Sequence, residues 1–243
     1  MPAPIFYGVN RLETSTVTAA TTLADRPVTR LSDRFLGPLW QGTGPVVWDQ
    51  GAGTPGPFDA VLVGAGHTLQ GATLTVETAP DAAFSAPTVL GTATPASADA
   101  LRIPCTGTVA RYSRLVIAGG PSPVAMGELW ASVGVATPEP PLFGTSPNAL
   151  SNYTGEESEA GVWMVYVKSA PRWQADWDLV GFDRPARDAF LALFQAIQGG
   201  RPFFVVDDEG VLRFARWVNA ETTFTGLLPK QYQTHMQLRE VGA

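Results

Sequence analysis

The stretch Trp173-Gln174-Ala175-Asp176-Trp177-Asp178-Leu179, with all that follows it to Val241, decides the fold. Trp173, Ala175, Trp177 and Leu179 alternate with Gln174, Asp176 and Asp178, the period of a half-buried strand. Asp183 then stands where a helix cap belongs, with Pro185 in the first turn. Phe190, Leu193, Phe194 and Ile197 recur at helical spacing, and Gly199-Gly200 stops the run, so a helix is expected over 184–198. Phe203 to Val206 reads as a strand, Asp207 to Gly210 as a turn, and Val211 to Val218 as its partner. Gln233 to Val241 closes the chain as an alternating strand. This is the pattern of an assembly module rather than of an active site.

The composition points the same way. The chain has 243 residues, 45% apolar and 16% charged, with seven Trp and twelve Phe. A lightly charged, aromatic-rich chain is expected to cover part of its surface with partners. The net charge of −6 and the lack of a basic run speak against nucleic acid. Gly and Pro are frequent, 25 and 21 residues, and show no period, which implies many turns between short strands. Cys105 is the sole cysteine, so no internal disulfide forms, and it reads as a small buried hydrophobe. Residues 1–8 lack the pattern of a secretory signal. No run approaches the ~18 apolar residues of a membrane helix, so a soluble protein without membrane insertion, made in a reducing compartment, is expected.

Residues 1–136 read as β and turn throughout. Strands are clearest at Val61–Val63, Thr73–Glu77, Leu101–Ile103, Tyr112–Ile117 and Glu128–Val135, the arrangement of a sandwich or jelly roll. Residues 137–161 form the expected connection. Pro138, Pro140, Pro141 and Pro147 stiffen it, and a polar loop with Glu156, Glu157 and Glu159 follows. A second β unit is expected over 162–243, opening with a strand at Val162–Lys168. The fold class is therefore mainly β: an N-terminal β-sandwich, then a β-barrel or sandwich carrying one α-helix.

Leu31-Ser32-Asp33-Arg34, the Trp40 and Trp48 region, Gly66 to Thr73, Val76 to Asp81, Tyr112 to Ile117 and Met126 to Trp130 follow one another in an order that resembles the discoidin-like, galactose-binding-type jelly roll found in phage tail proteins. Trp173–Phe182, the 183–198 helix, Gly199-Gly200 and the three strands after it resemble the β-barrel belt of tail-tip proteins in long, non-contractile phage tails. That family includes distal tail and small minor tail proteins. The jelly roll there follows the belt or is inserted in it, whereas here it comes first. The resemblance implies a virion structural protein at the tail tip, assembled in the host cytoplasm. Its partners would be itself, in a ring of three or six copies, other tail-tube and tail-tip proteins, and a host surface glycan. The alternatives are a carbohydrate-binding adhesin and a polysaccharide or cell-wall hydrolase.

The residues offer little to an enzyme. His67 sits in a turn and His235 on the polar side of the last strand; no Gly-x-Ser-x-Gly elbow accompanies either. Asp207, Asp208 and Glu209 share a turn, where carboxylates are expected to be solvated and divergent rather than paired across a cleft. No spacing suits zinc or a phosphate loop, and no cofactor is expected. Asp33 and Asp49 are the residues a loop calcium of such jelly rolls would ask for. Trp40, Trp48, Asp49, His67 and Trp130 are the candidate glycan-binding residues, with core filling as the other reading of the tryptophans. Trp163, Trp173, Trp177, Phe203 and Trp217 are the candidate ring-interface residues, since aromatics concentrate where subunits meet.

Overall fold

A computed structural model describes residues 2–37, 39–142, 148–157, 163–197, 200–218, 222–228 and 231–241; residues 148–157 and 163–172 enter below through backbone pairing alone. The first part of the chain forms β1 (Ile5–Tyr7), β2 (Thr16–Thr22), β3 (Trp40–Asp49), β4 (Ala60–Val63), β5 (Thr73–Ala79) and β6 (Thr88–Ala93). It continues with β7 (Leu101–Pro104), β8 (Tyr112–Ala118), β9 (Val124–Met126), β10 (Leu129–Ser132) and β11 (Val135–Ala136). The remainder forms β12 (Asn148–Glu157), β13 (Trp163–Phe182), helix α1 (Arg184–Ala196), β14 (Phe203–Val206), β15 (Leu212–Trp217), β16 (Phe224–Leu228) and β17 (Gln231–Glu240). The protein is mainly β, with one α-helix among the described residues.

Three antiparallel sheets stack on two cores. The outer sheet of the sandwich runs β2-β3-β8-β5-β6, with β9 added to β3. In the middle sheet, β10-β4-β7, strands β4 and β10 are buried on both faces. Val61, Val63, Ile103, Leu129 and Ala131 pack toward Trp40, Trp48, Leu74 and Leu115 of the sandwich core. Ala60, Leu62 and Trp130 belong instead to the second core, with Trp177, Phe204 and Phe214. A strand buried on both sides reads as an unbroken apolar run, and Ala60-Val61-Leu62-Val63 is one.

The third sheet runs β11-β1-β14-β15-β17-β13-β12, with β16 on β17. Its first two strands come from the region expected to form only the jelly roll. Ile5, Phe6 and Tyr7 pair with Val206, Val205 and Phe204, and Ile5 and Phe6 pair on their other side with Ala136 and Val135. The sandwich is therefore inserted in the third sheet between β1 and β11, although in sequence it comes almost first. The expected boundary at 136 cuts through this sheet.

Helix α1 follows its sequence signals. The Asp183 carboxylate accepts from the Ala186 N–H at 2.9 Å, and Phe190, Leu193 and Ile197 are buried beneath it. Its end at Ala196 falls two residues short of expectation, and Gly199 lies outside the described residues. The polar loop expected at 148–161 is corrected in part: Asn148–Glu157 is a strand, paired from Asn148↔Gln174 to Glu157↔Trp163. The expected strands at 162–168 and 173–182 are one strand of 20 residues. Only its second half, Gln174 to Phe182, pairs with β17. Among the described residues its first half pairs with β12 alone, so a two-stranded arm runs past the sheet.

Candidate functional site

A cleft of about 560 Å³ opens where the loop after the turn Val28–Ser32 meets the third sheet. The loop supplies Asp33, Arg34 and Phe35; the segment after α1 supplies Arg201, and β15 supplies Arg216. Arg34 has φ +62°, the left-handed region that side chains other than glycine enter at a cost of roughly 1 kcal/mol or more. The strain is held by contacts. The Arg34 guanidinium pairs with Glu13 at 2.5 Å, donates to the Pro202 carbonyl at 2.9 Å and to that of Gly8 at 3.2 Å, and lies 4.7 Å over the Trp130 ring. Phe35, beside it in the cleft, is 64% exposed.

Glu128 lies beneath this loop with no exposure. Its carboxyl accepts from the Phe35 N–H at 2.6 Å and the Trp130 indole N–H at 2.7 Å. Burial pushes its pKa up to about 9, against these two hydrogen bonds, and the nearby Asp33 carboxylate pushes it further. Glu128 is therefore protonated at neutral pH and shares a hydrogen bond with Asp33. The Asp33 carboxylate also accepts from the Phe35 N–H at 3.0 Å and pairs with Arg30 at 3.2 Å. The loop is thus pinned from below while its aromatic ring stands in solvent.

The five residues expected to bind glycan do not gather there. Trp40, Trp48 and Trp130 are wholly buried, so none offers a ring face to a sugar; this corrects the expectation. Trp40 donates to Thr22 Oγ1 at 3.1 Å, Trp48 packs against Phe58 at 6.1 Å, and Trp130 meets Phe204 edge-on at 5.3 Å. His67 is 1% exposed. Its Nδ1 accepts from the Leu69 N–H at 3.2 Å, so Nε2 carries the proton and donates to the Asp99 carbonyl at 3.0 Å. Burial lowers its pKa and keeps it neutral. Asp49 is held by Arg111 through both carboxylate oxygens, at 2.7 and 2.8 Å, and that contact lowers its pKa. A guanidinium thus stands where a calcium ion would need the Asp49 oxygens.

The ring-interface expectation is corrected on the same ground. Trp173, Trp177, Phe203 and Trp217 are at most 8% exposed and fill this chain's own core. Trp173 meets Trp177 edge-on at 5.7 Å, and Trp217 meets Phe194 at 4.9 Å. The side chain of Trp163 lies outside the described residues. The turn carboxylates also differ from expectation, since Asp207 and Asp208 are buried. Asp207 accepts from the N–H groups of Glu209 and Val211 at 3.0 and 2.8 Å and pairs with Arg213 at 2.9 Å. His235, half exposed, bridges Asp178 at 3.0 Å and Asp176 at 3.2 Å. Cys105 is buried, and desolvation drives its thiol up to about 12.

Phe35, Arg201 and Arg216 were not singled out by sequence. Phe35 follows Asp33-Arg34 and lies two residues before Gly37, an aromatic outside any periodic run; that isolation is the one signal it carries.

No protein-family model matches the chain, and no curated protein does. Among solved structures, a family 62 carbohydrate-binding module from Clostridium thermocellum Xyl5A is similar at 20% identity and a TM-score of 0.42, over 50% of this chain and 96% of that one. The family 32 module of AlyQ, in complex with 4,5-unsaturated mannuronic acid, is similar at 22% identity and a TM-score of 0.38, over 48% of this chain and 92% of that one. The C-terminal domain of a Bacteroides fragilis chitobiase follows at 17% and 0.41, over 52% and 97%. Likenesses at this level carry no argument about ligand or role.

Proposed function

We propose that this chain is an assembly and adhesion protein that performs no covalent chemistry. Its third sheet builds it into a larger particle, and its inserted sandwich presents a carbohydrate-binding surface. The particle we have in view is the tail tip of a long-tailed phage, with the chain in a ring of three or six copies against tail-tube proteins. The observation that carries this reading is the arm of β12 and the first half of β13, two strands with no third strand among the described residues. A ribbon of two strands is marginal alone in water, and its outer backbone groups are suited to pairing with another chain. The insertion of the sandwich between β1 and β11 supports the same family resemblance. With the aromatic residues turned inward, the assembly contact rests on backbone pairing of the arm rather than on a tryptophan patch.

The test is light scattering across a concentration series, for the full chain and for a variant in which residues 150–171 are replaced by an Asn-Gly turn. The full chain is expected to form trimers or hexamers, and the variant to stay a monomer with an unchanged melting temperature. A full chain that remains monomeric at every concentration, and does not form rings on tail-tube protein, would sink the reading. The second reading, a free-standing carbohydrate-binding adhesin, is favoured by the cleft at Phe35. It predicts glycan binding that does not depend on the arm. For a hydrolase, Asp207 and Asp208 are the wrong residues: they are buried, and Asp207 is fully engaged by its own turn and Arg213.

A further inference from the structure

We infer that the cleft at Phe35 binds an acidic saccharide, with the sugar ring lying on Phe35 and its carboxylate taken by Arg201 and Arg216. This rests on the carbohydrate-binding reading above and names the ligand class. The cleft volume, about 560 Å³, lies within the range of small-ligand sites and suits one or two sugar rings. A phenylalanine 64% exposed, on a loop pinned from beneath by Glu128 and Asp33, is a rigid platform rather than a stray surface residue. Sugar C–H faces pack on such rings.

Charge selects the kind of sugar. The carboxylates lining the cleft are already engaged, Glu13 by Arg34 and Asp33 by Arg30 and the Phe35 N–H. Arg201 and Arg216 are exposed, and their guanidinium groups make no ion pair or hydrogen bond among the described residues. Arg216 also lies directly across from Arg239 in the β15–β17 pairing. Like charges opposite one another on adjacent strands repel. The buried Nε of Arg239 has no partner, and neither has the buried Oε1 of Gln174, next in the same cross-strand row. In a chain of net charge −6, this cluster of unneutralised arginines is an exception. An incoming carboxylate relieves the repulsion and takes the planar, two-pronged contact that guanidinium groups favour.

Calorimetry on the full chain tests this with trigalacturonate, with its methyl ester, which keeps the rings and removes the charges, and with sodium sulfate, which has charge and no ring. Trigalacturonate is expected to bind, more weakly as salt rises. The ester should lose about tenfold or more in affinity, the loss expected when charge-assisted hydrogen bonds are removed. Sulfate should bind more weakly than the trisaccharide, since nothing stacks on Phe35. Phe35→Ala, Arg201→Ala and Arg216→Ala, all at exposed positions, should each weaken trigalacturonate by about tenfold and leave the melting temperature unchanged. Equal binding of acid and ester, or acid binding untouched by the three substitutions, overturns the assignment while leaving a carbohydrate-binding protein. Binding to neither probe, with no response on a panel of neutral glycans, overturns both. Sulfate binding as tight as trigalacturonate reduces the cleft to an anion site and overturns the saccharide.

Discussion

Replacing Glu128 by Gln should change how stability depends on pH, and the structure gives the sign. Glu128 is wholly buried, and its pKa rises from an ordinary 4.5 to about 9. Between those values the folded protein holds a proton that the unfolded chain releases. The contribution is therefore complete below pH 4.5, declines as pH rises, and is gone above about 9. At 1.36 kcal/mol per pH unit the ceiling is about 6 kcal/mol. Entry of water and movement of Asp33 relieve part of it, so a fall of about 2–3 kcal/mol between pH 5 and 8.5 is expected. Glutamine has a single acceptor oxygen for the two N–H groups of Phe35 and Trp130, a constant cost of about 1 kcal/mol. Urea unfolding followed by tryptophan fluorescence at five pH values, for both proteins, measures the two curves. The depressed pKa of His67 adds stability as pH rises and is common to both, so their difference isolates Glu128. The curves should converge or cross toward high pH. Parallel curves would refute the buried proton.

Other substitutions probe the two cores and their supports. Asp207→Ala removes the acceptor for two turn N–H groups and leaves Arg213 without its buried partner; a loss of about 2–4 kcal/mol is expected in chemical denaturation. Trp130→Ala opens a cavity against Phe204 and Phe214 and removes the ring beneath Arg34, for about 3–5 kcal/mol by the same measurement. Asp183→Ala should cost only about 1 kcal/mol, the value of a helix cap. A fragment ending at residue 136 exposes Leu62 and Trp130 and leaves β1 without β14, so it should bind a hydrophobic dye and precipitate, whereas the full chain does neither.

How far the sequence could be read depended on the range of the interactions. The Asp183 cap, the Phe190-Leu193-Ile197 stripe and the alternation at Trp173–Leu179 are local, and each was legible. Ile5-Phe6-Tyr7 is too short to show a period, and its partners lie about 130 and 200 residues away. Its place in the third sheet was therefore hidden. Aromatic residues told that large surfaces are buried but not against what; Trp130 and Trp177 meet their own chain because the middle sheet has a core on each side. Turn carboxylates were read as solvated because Arg213, six residues on, was not yet folded over Asp207. The cleft escaped because Phe35, Arg201 and Arg216 come from three segments with no shared motif.

The entry and exit of the sandwich has a mechanical consequence. Tyr7 and Val135, where the chain leaves and rejoins the third sheet, lie at the same end of two adjacent antiparallel strands. A load applied to the sandwich along that direction pulls β1 and β11 together, lengthwise past β14. The hydrogen bonds between β1 and β14 then resist together in shear, instead of opening one after another as in a peeled hairpin. A module tethered in this way transmits tension into the body of the molecule through folded structure rather than through a slack linker.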